Sequence, residues 1–315
     1  MITTESVLPA PVQQRFDMKL LAVRVPNLIH TATADKRSLT EREGDIMRMR
    51  RYSKYDISPV PLDFTTNPPP QSKGAVDIDA KIEFYGSYEI ITKRVTLINE
   101  DPVLNEKTML WGMWLRETED DLMKKCYEST SSYINATGGT NSDNPTNLTR
   151  QDIDKVITAL QGADGKFVTD QIDAEDLFGT SPIRDAYIAM CSTDLIPSFS
   201  LVQDFITKEK YPSNTNVKSY EWGACANMRF WVSSKGSKEE GASALGRTVY
   251  NIFVSALEAA TKIDLKAGEA PLIYRPPGSG DDPLLLRQSI GSRFPMASAI
   301  TNDAWLIKFR VTLPA

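Results

Sequence analysis

Between Gly74 and Tyr85 the chain alternates without a break. Val76, Ile78, Ala80, Ile82 and Phe84 fall on one side, and Asp77, Asp79, Lys81, Glu83 and Tyr85 on the other. Successive side chains of an extended strand leave on opposite faces, so this stretch reads as a strand with one face buried and one wet. Upstream, Met47 and Met49 share one face of a second candidate strand while Arg48 and Arg50 share the other. Between the two lie Ser58-Pro59-Val60-Pro61-Leu62 and Asn67-Pro68-Pro69-Pro70. Proline has no N–H to give to a ladder, so this part reads as an extended loop tip or an edge. After Gly86 the strand pattern continues over Tyr88–Leu97. The span 44–98 is therefore expected to be a long two-stranded excursion with a proline-rich tip. An isolated two-stranded ribbon is marginal in water, so this one must pack on its own domain or on another chain.

A long helix is expected next. Asp101 suits the N-cap and Pro102 the first helical position. Leu104, Trp111, Leu115, Leu122 and Cys126 recur at spacings of seven and four, and Val103, Leu110 and Trp114 widen the stripe. The pattern predicts one amphipathic helix over 102–130, about 43 Å long at about 1.5 Å per residue, with both tryptophans in the core. Residues 135–148, rich in Asn, Thr and Gly, read as a loop. Thr149 caps a second helix, with Asp152 as the acid of a capping box and Ile153, Val156, Ile157 and Leu160 as its apolar stripe. Strands are expected at Asp185–Cys191, Arg229–Val232, Thr248–Ser255 and Trp305–Leu313, and a helix interrupted by Pro197 at Thr193–Phe205. Residues 1–43, broken by Pro9, Pro11 and Pro26, show no sustained periodicity and read as an extended arm with little core of its own. The fold class is α+β, with no internal repeat.

The residues that most enzymes need are scarce. His30 is the only histidine, which excludes a two-histidine metal site within one chain. Any nucleophile–histidine pair would have to use His30. No phosphate-loop signature occurs, and Gly278-Ser279-Gly280 after Pro276-Pro277 reads as a turn. Asp164, Asp170, Asp173, Glu175 and Asp176 lack the spacing of a calcium loop and read as a solvated stretch. No catalytic residue, metal or cofactor is expected. Cys126, Cys191 and Cys225, odd in number and far apart, suit free thiols. No run approaches the roughly 20 apolar residues of a membrane span, and Met1–Ala10 has no basic-then-apolar leader pattern, so neither a span nor a secretory signal is expected. A formal charge of −5 argues against a dedicated DNA binder.

That charge is unevenly spread. Lys36–Lys54 holds seven basic residues (Lys36, Arg37, Arg42, Arg48, Arg50, Arg51, Lys54) against Glu41, Glu43 and Asp45, a local +4. The expectation is that Arg48, Arg50 and Arg51, with Lys54 and the Pro68-Pro69 tip, contact a neighbouring subunit. A solvated strand face is the plainer alternative. Nucleic acid is a third, weakened by the lack of an aromatic stacking platform.

Particular residues carry a resemblance. Gly44-Asp45-Ile46, Met49-Arg50-Arg51-Tyr52, Pro61-Leu62, Tyr85-Gly86-Ser87-Tyr88-Glu89-Ile90 and Asn99-Glu100-Asp101-Pro102-Val103-Leu104-Asn105-Glu106 follow one another. Thr149-Arg150-Gln151-Asp152-Ile153, Lys210-Tyr211, Asn227-Met228-Arg229-Phe230, Asp282-Pro283-Leu284 and Ala299–Trp305 come later. In this order, over about 44–313, they resemble the major capsid proteins of the N-four-like tailed bacteriophages. The sequence departs from that family at Asp63-Phe64, Glu221-Trp222-Gly223-Ala224 and Gly291-Ser292-Arg293.

The resemblance implies a Hong Kong 97-type capsid fold. It divides the chain into an N-terminal arm (1–43), an E-loop hairpin (44–98) and a peripheral P-domain (99–148) with its spine helix at 102–130. An axial A-domain, interleaved with P-domain strands, takes 149–315. Leu104, Trp111, Leu115 and Leu122 would form the spine-helix core. The implied role is structural: hexamers and pentamers of an icosahedral head enclosing double-stranded DNA, assembled in the bacterial cytoplasm and residing in the virion. Implied partners are further copies of the chain, portal and scaffolding proteins, a decoration protein and packaged DNA held non-specifically, with no membrane. The alternatives are a tail or decoration component, which would usually lack a spine helix directly after a long hairpin, and a soluble enzyme with an unrecognised site.

Overall fold

One long helix lies against two β-sheets. The computed structural model describes residues 26–40, 44–55, 57, 70–94, 103–169, 185–211, 217–265, 270–278 and 282–314. In chain order the strands are β1 (Asp35–Leu39), β2 (Ile46–Tyr52), β3 (Ala75–Lys81), β4 (Glu83–Thr92), β5 (Tyr133–Asn135), β6 (Tyr187–Ser192), β7 (Ile206–Thr207) and β8 (Glu221–Cys225). Then come β9 (Met228–Ser233), β10 (Lys238–Glu239), β11 (Val249–Ser255), β12 (Ala260–Leu265), β13 (Ala270–Arg275), β14 (Arg287–Ile300) and β15 (Leu306–Val311). The long helix is Val103–Glu128 and a second helix is Arg150–Gly162.

The larger sheet runs β5-β15-β11-β6-β9-β8-β7, with β10 added to β11. All six residues of β6 are buried, and alternate ones enter different cores. Tyr187, Ala189 and Cys191 join Ile153, Val156 and Leu160 of the second helix. Ile188 and Met190 join Met123 and Tyr127 of the long helix. A strand covered by helices on both faces has no wet side, which is why its sequence shows an apolar run instead of alternation. The second helix starts as its sequence dictates: the Thr149 side chain accepts from the Asp152 N–H. Asp152 is itself fully buried. Its carboxylate accepts from the Thr149 hydroxyl (2.6 Å) and from the N–H groups of Thr137 and Gly138 (3.1 Å each), pinning the Asn- and Thr-rich loop to the helix start.

The smaller sheet is built around β14. β4 follows one edge of β14, while β13 and β12 share the other and β1 adds parallel to β12. Pro295 sits between the last β13 partner, Arg293, and the first β12 partner, Met296, where the strand changes neighbour. Gly291 allows the β4–β14 approach, since a Cβ there would meet the Ser87 carbonyl oxygen at 2.6 Å and Tyr88 Cβ at 2.7 Å. The long helix covers this sheet too. Trp114 packs edge-on to Phe294 (6.3 Å), and buried Lys262 of β12 reaches Glu119 of the helix at 3.0 Å.

Several expectations need correction. Residues 26–40 are not a coreless arm: Ile29, His30, Ala34 and Leu39 are buried, and β1 is part of a sheet. Their burial was hidden because it uses a helical turn followed by a strand, too short for either period to register. The excursion 44–98 is two-stranded only at β2–β3; beyond Ile82 the chain joins β14 as β4. The helix expected over Thr193–Phe205 is a 3-10 turn, Thr193–Leu195, and one α turn, Ile196–Phe199. The cap at Asp101-Pro102, the Pro68-Pro69 tip and residues 1–25 lie outside the described residues.

Candidate assembly surfaces

β2 and β3 pair so that Arg48 faces Asp79 and Arg50 faces Asp77. Each pair is bidentate: Arg48 Nε and Nη2 donate to Asp79 at 2.7 and 2.8 Å, and Arg50 to Asp77 at 2.6 and 2.8 Å. These hydrogen bonds hold both carboxyls below the usual range and raise both guanidiniums. The basic cluster is thus partly neutralised within its own ribbon, while Arg48 and Arg50 stay more than half exposed, each with donors beyond the two it gives to β3. Arg51 lies on the other face of β2, opposite Val76, and no ion pair involves it among the described residues. Lys54 contacts Asp164 at 2.6 Å, both side chains well exposed. The apolar face of the ribbon, with Met49, Ala80 and Ile82, packs on Leu39, Ile263 and Ala297 of the smaller sheet.

Leu115 and Leu122 of the long helix pack, partly buried, against the core it shares with both sheets, as does Trp114. Trp111 is half-buried and stacks edge-on to Trp114 at 5.3 Å. Leu104 lies in the first turn, and its side chain is outside the described residues. The fully buried positions are others, Met123 and Tyr127, with Asp120 beside them. Asp120 accepts from the Thr31 N–H and contacts His30 Nδ1, each at 2.8 Å. The only histidine is therefore spent on docking residues 29–31 to the long helix. A charged residue at the centre of an apolar stripe reads in sequence as an interruption, and only the distant His30 explains it.

Other buried chemistry is likewise structural. Tyr211 donates to Glu221 at 2.9 Å, and burial pushes the Glu221 carboxyl above its usual range. Burial also raises the thiols of Cys126 and Cys191 and pushes that of Cys225 up to about 11, which disfavours the reactive thiolate. Among the described residues no group of three or more His, Cys, Asp or Glu side chains could hold a metal ion. No described helix is long and apolar enough to cross a membrane.

The smaller sheet has two unlike faces. Ile290, Phe294 and Met296 of β14 are buried, the last two against the long helix. The opposite face is covered by the β2–β3 ribbon at Ala297 and Ala299 but is open further along. There an open groove of about 470 Å³ is lined by Tyr88, Ile273, Arg275, Gly291 and Arg293, among others. Tyr88, Phe84 and Ile90 stand out beside it, all more than half exposed.

No protein-family model matches the chain, and no curated protein is significantly similar to it. Solved structures are similar along its whole length. The capsid of Ralstonia phage GP4 matches with a TM-score of 0.71 over 100% of this chain and 99% of its own, at 11% identity. The capsid asymmetric unit of cyanophage Pam1 matches at 0.68, over 99% of both chains and 12% identity. A chain of Mycobacterium phage Che8 matches at 0.62, over 96% of this chain and 98% of its own, at 9% identity. The chain therefore has the fold of these phage chains, the mixed α+β architecture of the Hong Kong 97 type.

Proposed function

We propose that this chain is the major capsid protein of a tailed bacteriophage, self-assembling into hexamers and pentamers of an icosahedral head around double-stranded DNA. One observation carries the reading: a phage capsid chain and this chain superpose end to end, with neither leaving a domain unmatched. The surfaces support it. A ribbon and a sheet edge lie at the margin of the fold, and the ribbon is stiffened by two bidentate ion pairs across its strands. In this role the β2–β3 ribbon within 44–98 acts as the E-loop, Val103–Glu128 as the spine of the P-domain, and the larger sheet with the second helix as the A-domain. Arg48, Arg50, Arg51 and Lys54, with the Pro68-Pro69 tip, are the inter-subunit contacts of this reading. The chain then resides in the virion and meets scaffolding, portal and decoration proteins during assembly in the host cytoplasm, and DNA by non-specific contact.

The test is to express the full chain, alone and with candidate scaffolding proteins, and to measure its mass by sedimentation with negative-stain electron microscopy of the same sample. Closed shells, or rings the size of hexamers and pentamers, are expected. A chain that stays monomeric with every scaffolding partner would overturn the reading in favour of a tail or decoration component.

A further inference from the structure

The open face of the smaller sheet sets cations and aromatic rings in one line. Along β14, Arg287, Ser289, Gly291 and Arg293 leave on the face turned away from the long helix, since Phe294 and Met296 pack on the other. On β4 the same open face carries Phe84, Gly86 and Tyr88, because Tyr85 packs on Phe294 and Glu89 reaches Lys107 of the long helix. Register sets the neighbours: Arg275 of β13 lies opposite Ser289, Tyr88 opposite Gly291, and Phe84 opposite Pro295. From one end to the other the face presents Arg287, Arg275, Tyr88, Arg293 and Phe84, all exposed. Arg287 and Arg293 stand about 20 Å apart at about 3.3 Å per residue. The groove of about 470 Å³ beside Tyr88 continues into a second hollow of about 190 Å³; Tyr88, Arg275 and Ser289 line both. Gly86 and Gly291 carry no side chain and leave the trough open between Tyr88 and Arg293.

The charges of this trough select its occupant. Asp282 is the only carboxylate among the described residues that line it, and it accepts from the Arg287 backbone N–H at 2.7 Å. Among the described residues Arg275 and Arg293 have no ion-pair partner. Unanswered positive charge on a chain of formal charge −5 favours an anion. The rings between the cations specify which anion. A single strand can stack its bases on exposed rings while its phosphates follow the cations. A duplex keeps its bases stacked on one another, and an acidic polypeptide would leave Tyr88 and Phe84 idle. We infer that this face binds a single strand of nucleic acid, with phosphates on Arg287, Arg275 and Arg293 and a base on Tyr88. The capsid reading names packaged DNA but gives it no surface; this inference goes beyond that reading and stands on the face alone.

The test is fluorescence anisotropy of labelled oligothymidylate, about twelve nucleotides long, titrated with the full chain at several salt concentrations. Binding is expected, falling on a log–log plot against salt with a slope of about −2, roughly −0.7 for each of three phosphates. Arg275→Gln and Arg293→Gln should each remove about 0.7 from that slope. Tyr88→Ala should weaken binding about tenfold at an unchanged slope, and Tyr88→Phe should bind as the parent chain does. Lys238→Gln, which takes one exposed charge from the larger sheet, should change neither quantity. No binding at about 50 mM salt overturns the inference. So does Tyr88→Ala binding as tightly as the parent chain. Poly-glutamate, or a duplex of the same length, displacing the probe as well as unlabelled oligothymidylate does would also overturn it. Shells are scored in the separate sedimentation experiment, so either reading can fail without the other.

Discussion

At the scale of single residues, the exposed ion pairs of the ribbon make a pH-dependent device. Asp77 and Asp79 are held below their ordinary value of 3.8 by the arginines opposite them. A carboxyl whose pKa is depressed in the folded state contributes stability above its unfolded value and loses it as the pH falls through the folded one. Amide-exchange protection of β2 and β3 is therefore expected to drop on acidification below about pH 4, ahead of that of β6. Arg48→Ala with Arg50→Ala should lower the protection at neutral pH and flatten the acid response; an unchanged profile would refute the pairing. The pairs were within reach of the sequence. Arg48 with Asp79 and Arg50 with Asp77 centre on the same point, between Asp63 and Phe64, so one hairpin register satisfies both. Counting charge by neighbourhood along the chain, instead of across that register, is what made the arginines look free. The His30–Asp120 contact was not legible, because no local pattern links residues ninety positions apart.

At the scale of elements, the long helix was legible as an amphipathic segment but not in its rotation. Trp114, Leu115 and Leu122 border the contact, whereas Met123 and Tyr127 occupy its centre. Met123→Ala should cost about 2–5 kcal/mol in chemical denaturation, as a fully buried long side chain does. Leu110→Ala, at an exposed position of the same helix, should stay within about 0.5 kcal/mol. Equal effects would mean that the helix is turned differently. The second helix was legible to its cap, and Thr149→Ala should cost about 1 kcal/mol. β14 was the opposite case. Its Gly291, Ser289, Ser292 and Pro295 are poor strand formers, and neither period appears over its length. Its neighbours hold it: β4 along one edge and β13 and β12 along the other supply the pairing that its own composition does not favour.

At the scale of the molecule, the long helix shares one core with both sheets, the second helix closes another on the far face of the larger sheet, and the ribbon packs on the outer face of the smaller sheet. Replacing residues 54–73 by a short Asn-Gly turn, next to the Ser53–Gly74 hydrogen bond, should leave thermal unfolding of the two cores almost unchanged. If the chain builds a shell, the same variant should form none by electron microscopy; normal shells would show that the ribbon is dispensable. The line from β3 to β4 also has a mechanical meaning. It changes sheets at Ile82, whose side chain is buried and whose N–H is held by the Asp45 carbonyl oxygen at 2.8 Å. The ribbon is thus a cantilever with its root set in a firm wall. The seven residues of β3 extend about 23 Å from that root at about 3.3 Å each, and a tilt of about 5° there moves the far end by about 2 Å. A displacement of that size reseats a side chain in a neighbour, and what resists it is the packing of Met49 on the smaller sheet and the exposed Lys54–Asp164 pair, so one body can meet neighbours at several angles.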